Sequence, residues 1–523
     1  MAEARGDIII GVDAGTSVVK SIAFDLAGRQ IAIASTPNRY TVGPHGAATQ
    51  PLADSWEDCA RTLRDLGGEL PGLAGRTAAV AVTAQGDGTW LVGPGNEPVT
   101  DAWLWLDARA SPVVRRLRGT AGDRRRFAST GTGLNSCQMG AQLACMKETT
   151  PEIVAGAEVS LHCKDWLYLN LTGLRATDPS EACFTFGDFR TRAYDDAVIA
   201  SLGLTAEKRL LPEIVDGSQA THPLTAEAAS ATGLRAGTPV ALGYVDVACT
   251  ALGAGIYTGG AEAGCSIIGS TGMHMRSTPA EAVHLNDDLT GYVMVLPVPG
   301  EVAQMQSNMA ATLNIDWLLK VASDLMAEMG KPVEHRALIA RIDDWIAASR
   351  PGGILYHPYI SAAGERGPFV DNTARAGFVG LSSSHRFPDL MRAVIEGLGL
   401  AARDCYGAMG AVPGEVRLTG GAARSRAFRN IFSAAVDRPV RASAREEAGA
   451  AGAAMMAAVA IGAYPDMNAC IAEWVTPLLG AIECPEPALA RIYAGTYPAY
   501  RQAREDLPPV WARLAAVAEG ARA

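Results

Sequence analysis

Residues 7–25 read "DIIIGVDAGTSVVKSIAFD". An apolar, β-branched run ends in Asp13, "AGTS" makes a tight turn, and "VVKSIAFD" alternates as it leaves the turn. "LAGR" is a second turn, and "QIAIAS" reads as a third strand. Gly-bearing turns between β-rich segments predict a hairpin ladder. A helical stretch over about residues 54–70 and the apolar strand "AAVAVTAQ" follow, and this mixture predicts α/β architecture. The strand–turn–strand design returns at 263–277, "AGCSIIGSTGMHMRS". Residues 415–443 then read strand, Gly-Gly turn, helix, strand. Two halves built alike predict two similar domains around a central cleft, with a boundary near 250–262.

Composition bounds the function. At 523 residues the chain is too long for one simple core. Hydrophobic residues make up 48 % and charged residues 19 %, as in an ordinary folded globule. A net charge of −10 argues against a nucleic-acid or anionic-membrane partner. The ten cysteines form no C-x-x-C pair and read as reduced, mostly buried thiols of a cytoplasmic protein. The N-terminus lacks the apolar core of a signal peptide. The Ala/Gly-rich stretch 448–464 reads as a close-packed core helix, not a membrane span. The eight histidines show no ligand spacing and read as structural or surface residues. The tail from Glu486 reads as helical and peripheral.

Three turns carry phosphate-handling chemistry. In the first, Gly15 permits close backbone approach, and Thr16 and Ser17 add hydroxyls that can cradle phosphate oxygens. Lys20 adds a positive charge, and Asp13 can hold a hydrated Mg²⁺. A plain hairpin with a polar turn is the competing reading. The second turn, Ser270, Thr271 and Gly272 within "GSTG", offers another cradle of hydroxyls and amides. In the third, "TGGAARS", the Gly pair lets a flat ring lie against the backbone. No G-x-x-x-x-G-K-[ST] is present, which excludes a P-loop. Asp246, in "GYVDVACTALGAG", is the one carboxylate in a run of small and apolar residues. It reads either as a helix N-cap or as a catalytic base at the carboxyl end of a strand. Asp87 in "QGDGTW" and Arg366 in "GERGPF" divide between structural and functional readings. Of Trp103 and Trp105, at least one is expected in the core.

Taken in order, "GVDAGTSVVK", "VTAQGDGTWLV", "AWLWLDAR", "DWLYLNLTG", "TDPSEA", "GYVDVACTALGAG", "GSTG", "GERGPFVDNTARAGFVGL" and "LTGGAARSRAFRNIF" resemble the FGGY carbohydrate kinase family of the actin-like ATPase superfamily. The resemblance implies two actin-like (ribonuclease H-like) domains, over residues 1–250 and 251–485, with the tail at 486–523. It implies transfer of the ATP γ-phosphate to a sugar or polyol hydroxyl with Mg²⁺. Asp246 then matches the catalytic base, which can coexist with the cap role, and Asp13 the magnesium-organising carboxylate. Gly15, Thr16, Ser17 and Lys20 match the first phosphate loop, Ser270, Thr271 and Gly272 the second, and Gly421 and Ser425 the adenosine segment. Gln85, Asp87 and Trp105 fall at the polyol. Glycerol kinases carry Arg-Glu where this chain has Gly86-Asp87, and Gln where it has Val247. Those departures and the full-length resemblance imply a short polyol, erythritol giving erythritol 4-phosphate. A pentulose, a pentitol and glycerol are the alternative acceptors. The expected partner is that small molecule, and a homodimer stays open. An actin-like ATPase scaffold or chaperone is the non-enzymatic alternative.

Overall fold

The opening hairpin forms as expected. β1 (Ile8–Ala14) pairs antiparallel with β2 (Val18–Asp25), setting Asp13 opposite Lys20, and β3 (Gln30–Pro37) pairs antiparallel with β2. β4 (Thr77–Ala84), β5 (His222–Pro223) and β6 (Pro239–Leu242) complete a sheet of order β5-β6-β4-β1-β2-β3, in which β1, β4 and β6 are parallel. The computed structural model describes residues 6–258 and 263–520. Of the expected boundary, residues 259–262 lie outside the described residues.

The second sheet repeats the plan. It contains β7 (Ala263–Ile268), β8 (Gly272–Pro279), β9 (Tyr292–Val295), β10 (Glu301–Asn308), β11 (Glu415–Thr419) and β12 (Val440–Ala442). Their order is β9-β10-β8-β7-β11-β12. Strands β7, β8 and β10 run antiparallel, and β11 and β12 extend parallel from the other edge of β7. The echo seen in the sequence is therefore a repeat of topology.

β1 is buried on both faces, which explains a continuous apolar run rather than an alternating one. Ile8, Ile10 and Val12 join a core with the helix Leu52–Glu69, and Ile9 joins a different core shared by both sheets. That shared core is built around two helices, Asp246–Ala254 and Ala448–Ala460. Their small residues let backbones touch: a Cβ on Gly253 would collide with the carbonyl of Ala448, one on Gly452 with that of Cys249, and one on Gly11 with that of Ala450. Residues 448–458 are buried throughout, as expected of a core helix. No described helix is long and apolar enough to cross a membrane. Although it belongs to the second half of the chain, this helix packs on β1 and β4 of the first sheet.

The cysteines are free, and all but Cys484 are buried. One expectation is corrected. The tail is helical, over Pro487–Asp506 and Pro508–Gly520, but it is not peripheral. Leu489, Tyr493 and Tyr500 are buried in the second domain's core, and Trp511 packs with Tyr359 and Phe369. Tyr493 donates to Glu396 at 2.7 Å, which anchors the helix with a charge-assisted bond. These aromatic residues lie among so many charged ones that the composition of the tail hid its buried face.

Candidate active site

Five of the parallel strands end at a singled-out residue or turn. Asp13 lies one residue from the end of β1, and Gln85 follows β4. Asp246 follows β6 after a short turn, Gly269–Thr271 follows β7, and Gly420 and Gly421 follow β11. Open α/β sheets bind ligands at such ends, because the strand-to-helix turns there carry free amides and unpaired side chains. The Gly15 N–H closes the first turn on the Val18 carbonyl at 3.1 Å. The hydroxyls of Ser17, Ser270 and Thr271 have no hydrogen-bond partner among the described residues.

Charge collects around Asp13. Lys20, opposite it on β2, donates to Glu447 Oε1 and Oε2 at 3.0 and 2.8 Å. Glu447 precedes the helix Ala448–Ala460, so this pair joins the two halves of the chain. Burial lifts the Asp13 carboxyl to about 6; Lys20 opposes the rise and Glu447 adds to it. Gly449 sits beside Asp13: a Cβ there would stand 2.5 Å from Asp13 Oδ2 and 3.1 Å from Thr250 Oγ1. Asp246 is the first residue inside its helix, and the cap position belongs to Val245, whose side chain cannot cap. The N-cap reading of Asp246 is thereby corrected. Its Oδ1 accepts the Val247 N–H at 2.7 Å. Burial first, and then the charge of Asp13, hold the Asp246 carboxyl well above the usual range. Asp13 and Glu447 thus share one ammonium, Lys20, and Asp13 and Asp246 repel each other, an excess of negative charge that fits a divalent cation.

A second group forms where the first turn meets β4. The Trp105 indole donates to Thr16 Oγ1 at 2.8 Å, and Thr16 donates to Gln85 Oε1 at 3.2 Å. Trp105 lies in a turn, half-buried, with its indole N–H bonded to Thr16, whereas Trp103 is buried on its short strand. Asp87 adopts φ +55° in a tight turn, so the turn reading holds. Its side chain is also engaged: Cys137 Sγ and Tyr292 Oη both donate to Oδ2 at 3.2 Å, and Oδ1 is buried without a partner. Burial raises this carboxyl, against the pull of the Cys137 bond. The Asp87 N–H donates to Glu181 Oε1 at 2.9 Å. A Cβ on Gly86 would collide with Val245, the residue before Asp246, so the two turns press together.

Beneath the Asp87 turn lies a buried ionic knot. Lys164 Nζ stands 2.8 Å from Asp165, 2.7 Å from Asp178, and in contact with Glu181. His162, Asp165 and Glu181 bring donor atoms within 4.8 Å of one another, but the lysine already serves as their cation. Burial lifts Glu181, and His162 and Lys164 pull it back.

At the third turn Gly420 takes φ +92°, and a Cβ on it would press on Ile268; Gly421 faces open space. Ser425 caps the helix Arg426–Val436 by accepting the Phe428 N–H at 3.1 Å, and it donates to Asp343 at 2.9 Å. Its hydroxyl thus has a structural task that the sequence reading did not assign. Glu447, Cys137 and Tyr292 were also missed. Each comes from a segment distant in sequence, and none sits in a phosphate-type turn. Glu181 stood in the quoted "TDPSEA" without a role.

The FGGY family of carbohydrate kinases matches through its N-terminal domain model over residues 8–253 and its C-terminal domain model over 264–461. An erythritol kinase of Brucella abortus (strain 2308) is 67 % identical over 511 residues, covering 98 % of both chains. A xylulose kinase of Escherichia coli (strain K12) is 29 % identical over 435 residues, covering 81 % of this chain and 84 % of that one. The structure of xylulose kinase from Rhodospirillum rubrum superposes with a TM-score of 0.86 at 25 % identity, covering 96 % of this chain and 99 % of that one. With both family domains matched in order along most of its length, the chain belongs to the FGGY family of carbohydrate kinases.

Proposed function

We propose that the protein transfers the γ-phosphate of ATP to a terminal hydroxyl of a short polyol, erythritol, giving erythritol 4-phosphate. The observation that carries the acceptor is the 67 % identity, over 98 % of both chains, to an enzyme named erythritol kinase. Phosphoryl transfer needs positioning and charge neutralisation more than covalent help from the protein. Asp246 takes the proton of the attacking hydroxyl, and its raised pKa brings it closer to the operating pH, where a carboxylate is a better proton acceptor. Asp13, backed by Glu447, would hold Mg²⁺, which when bound would neutralise phosphate charge. Lys20, the turn amides of Thr16 and Ser17 and the hydroxyls of Ser17, Ser270 and Thr271 cradle the phosphates. Gly272 opens β8 directly behind that second cradle. Gly421 gives the adenine ring its open floor, and Ser425 fixes the helix beside it.

Gln85, Asp87 and Trp105 receive the acceptor. The unpartnered Asp87 Oδ1 is a ready acceptor for a polyol hydroxyl. Where glycerol kinases carry Arg-Glu, Gly86-Asp87 removes the fixed cation and presents a shorter carboxylate, which suits an acceptor with one more hydroxyl-bearing carbon. A site that pairs each hydroxyl discriminates against an analogue lacking one. The test is kcat/KM at fixed ATP for erythritol, glycerol, xylitol, ribitol, xylulose and ribulose, with the phosphate position read by NMR. Erythritol is expected to lead; a preference for glycerol or a ketopentose overturns the acceptor.

A further inference from the structure

β9 belongs to the second sheet, yet its first residue reaches the acceptor side of the first. Tyr292 Oη donates to Asp87 Oδ2, and Asn135 Nδ2 lies 3.5 Å from the same phenol oxygen. The ring packs edge-on against Phe184, with centroids 5.6 Å apart. The backbone on either side is tied to the first half of the chain. Gly133 N–H donates to the Gly291 carbonyl at 2.8 Å, and Val293 N–H to Thr132 Oγ1 at 3.2 Å. Burial lifts the Tyr292 phenol well above its ordinary value, so it remains a hydrogen-bond donor through the neutral range. With the Cys137 thiol it occupies Asp87 Oδ2 and leaves only Oδ1 for a ligand.

Arg366 supplies the matching charge. It is half-buried, and its guanidinium makes no hydrogen bond or ion pair with the described residues. Its positive charge favours the ionised form of Asp87 against the cost of burial. The same charge acts on Cys137 and Tyr292 in the same sense.

We propose that Tyr292, with Arg366 as counter-charge, determines acceptor length: it fixes Asp87 so that Oδ1 receives the hydroxyl of a four-carbon polyol that a three-carbon one does not present. This rests on the reading that Asp87 binds the acceptor. No residue of the phosphate turns enters it, so nucleotide handling is separable from it.

The test is Tyr292→Phe, which removes one hydroxyl and keeps the ring against Phe184. Losing a hydrogen bond to a charged group should raise KM for erythritol by about 10-fold, with the loss falling mainly on KM and none on the KM for ATP. The erythritol-to-glycerol ratio of kcat/KM should fall by about the same factor. An unchanged ratio overturns the proposal. Asp87→Asn is measured in parallel: if it leaves the erythritol KM alone, the acceptor placement itself fails. If Asp87→Asn raises that KM and Tyr292→Phe does not, only the present inference fails. Should Tyr292→Phe not fold, Arg366→Gln serves; a raised erythritol KM and lowered ratio support the proposal, and wild-type values overturn it.

Discussion

Replacing Asp246 by Asn should cost activity and add stability at the same time. The substitution keeps the side chain's shape and removes its charge. As the proton acceptor, its loss should lower kcat by about 10²–10⁴, or about 3–5 kcal/mol on the barrier. The stability effect has the opposite sign. The neighbouring Asp13 is displaced from 3.8 to about 6, about two units, or ~3 kcal/mol of disfavoured ionisation at neutral pH. Asp246 is raised in the same direction, by burial and by the charge of Asp13. Discounted for its partial exposure and for an amide that must find its own partners, the neutral variant should be about 1–3 kcal/mol more stable at pH 8. A carboxyl raised on folding holds its proton longer in the folded state, so the wild type loses stability as pH rises from about 4 through the folded value. The variant lacks that slope, and its advantage should shrink toward zero as pH falls to about 4. The assays are polyol-dependent ADP release and urea unfolding at several pH values. Wild-type turnover in a folded variant, or an equal loss of stability at pH 8 and pH 4, refutes the reasoning.

Three further outcomes follow from the same geometry. Gly449→Ala places a methyl 2.5 Å from Asp13 Oδ2 and should turn that carboxylate away, weakening Mg²⁺ binding by calorimetry while the free energy of unfolding drops by about 1–3 kcal/mol; unaltered Mg²⁺ affinity refutes it. Lys164→Met strands Asp165, Asp178 and Glu181 without their cation and should cost about 3–5 kcal/mol in urea unfolding, so a loss below about 1 kcal/mol counts against the knot. Because Asp13 is raised to about 6, protons should compete with Mg²⁺ below that pH, lowering its apparent affinity about 10-fold per unit; a flat profile from pH 5 to 7.5 removes Asp13 as the ligand.

Much of this protein was legible in one dimension. The run 8–14 announced a buried central strand because a strand covered on both faces needs apolar residues at successive positions. The Gly/Ser/Thr turns marked strand ends, since few residue types tolerate such backbone, and the repeated strand–turn–strand design foretold two sheets of one plan. Asp246 stood out because a charge among small residues needs a reason. Other features were decided only when distant segments met. Lys20 and Glu447 lie 427 residues apart, and Asp87 and Tyr292 lie 205 apart. Neither pair has a local signal, because a hydrogen bond across the fold imposes no periodicity on either segment. The unpartnered Asp87 oxygen, the displacement of the N-cap to Val245, and the packed aromatic face of the tail likewise depend on what approaches from elsewhere. Local sequence sets backbone shape and which faces are apolar; the charge balance of the site is set by which ends of which strands the two shared helices bring together.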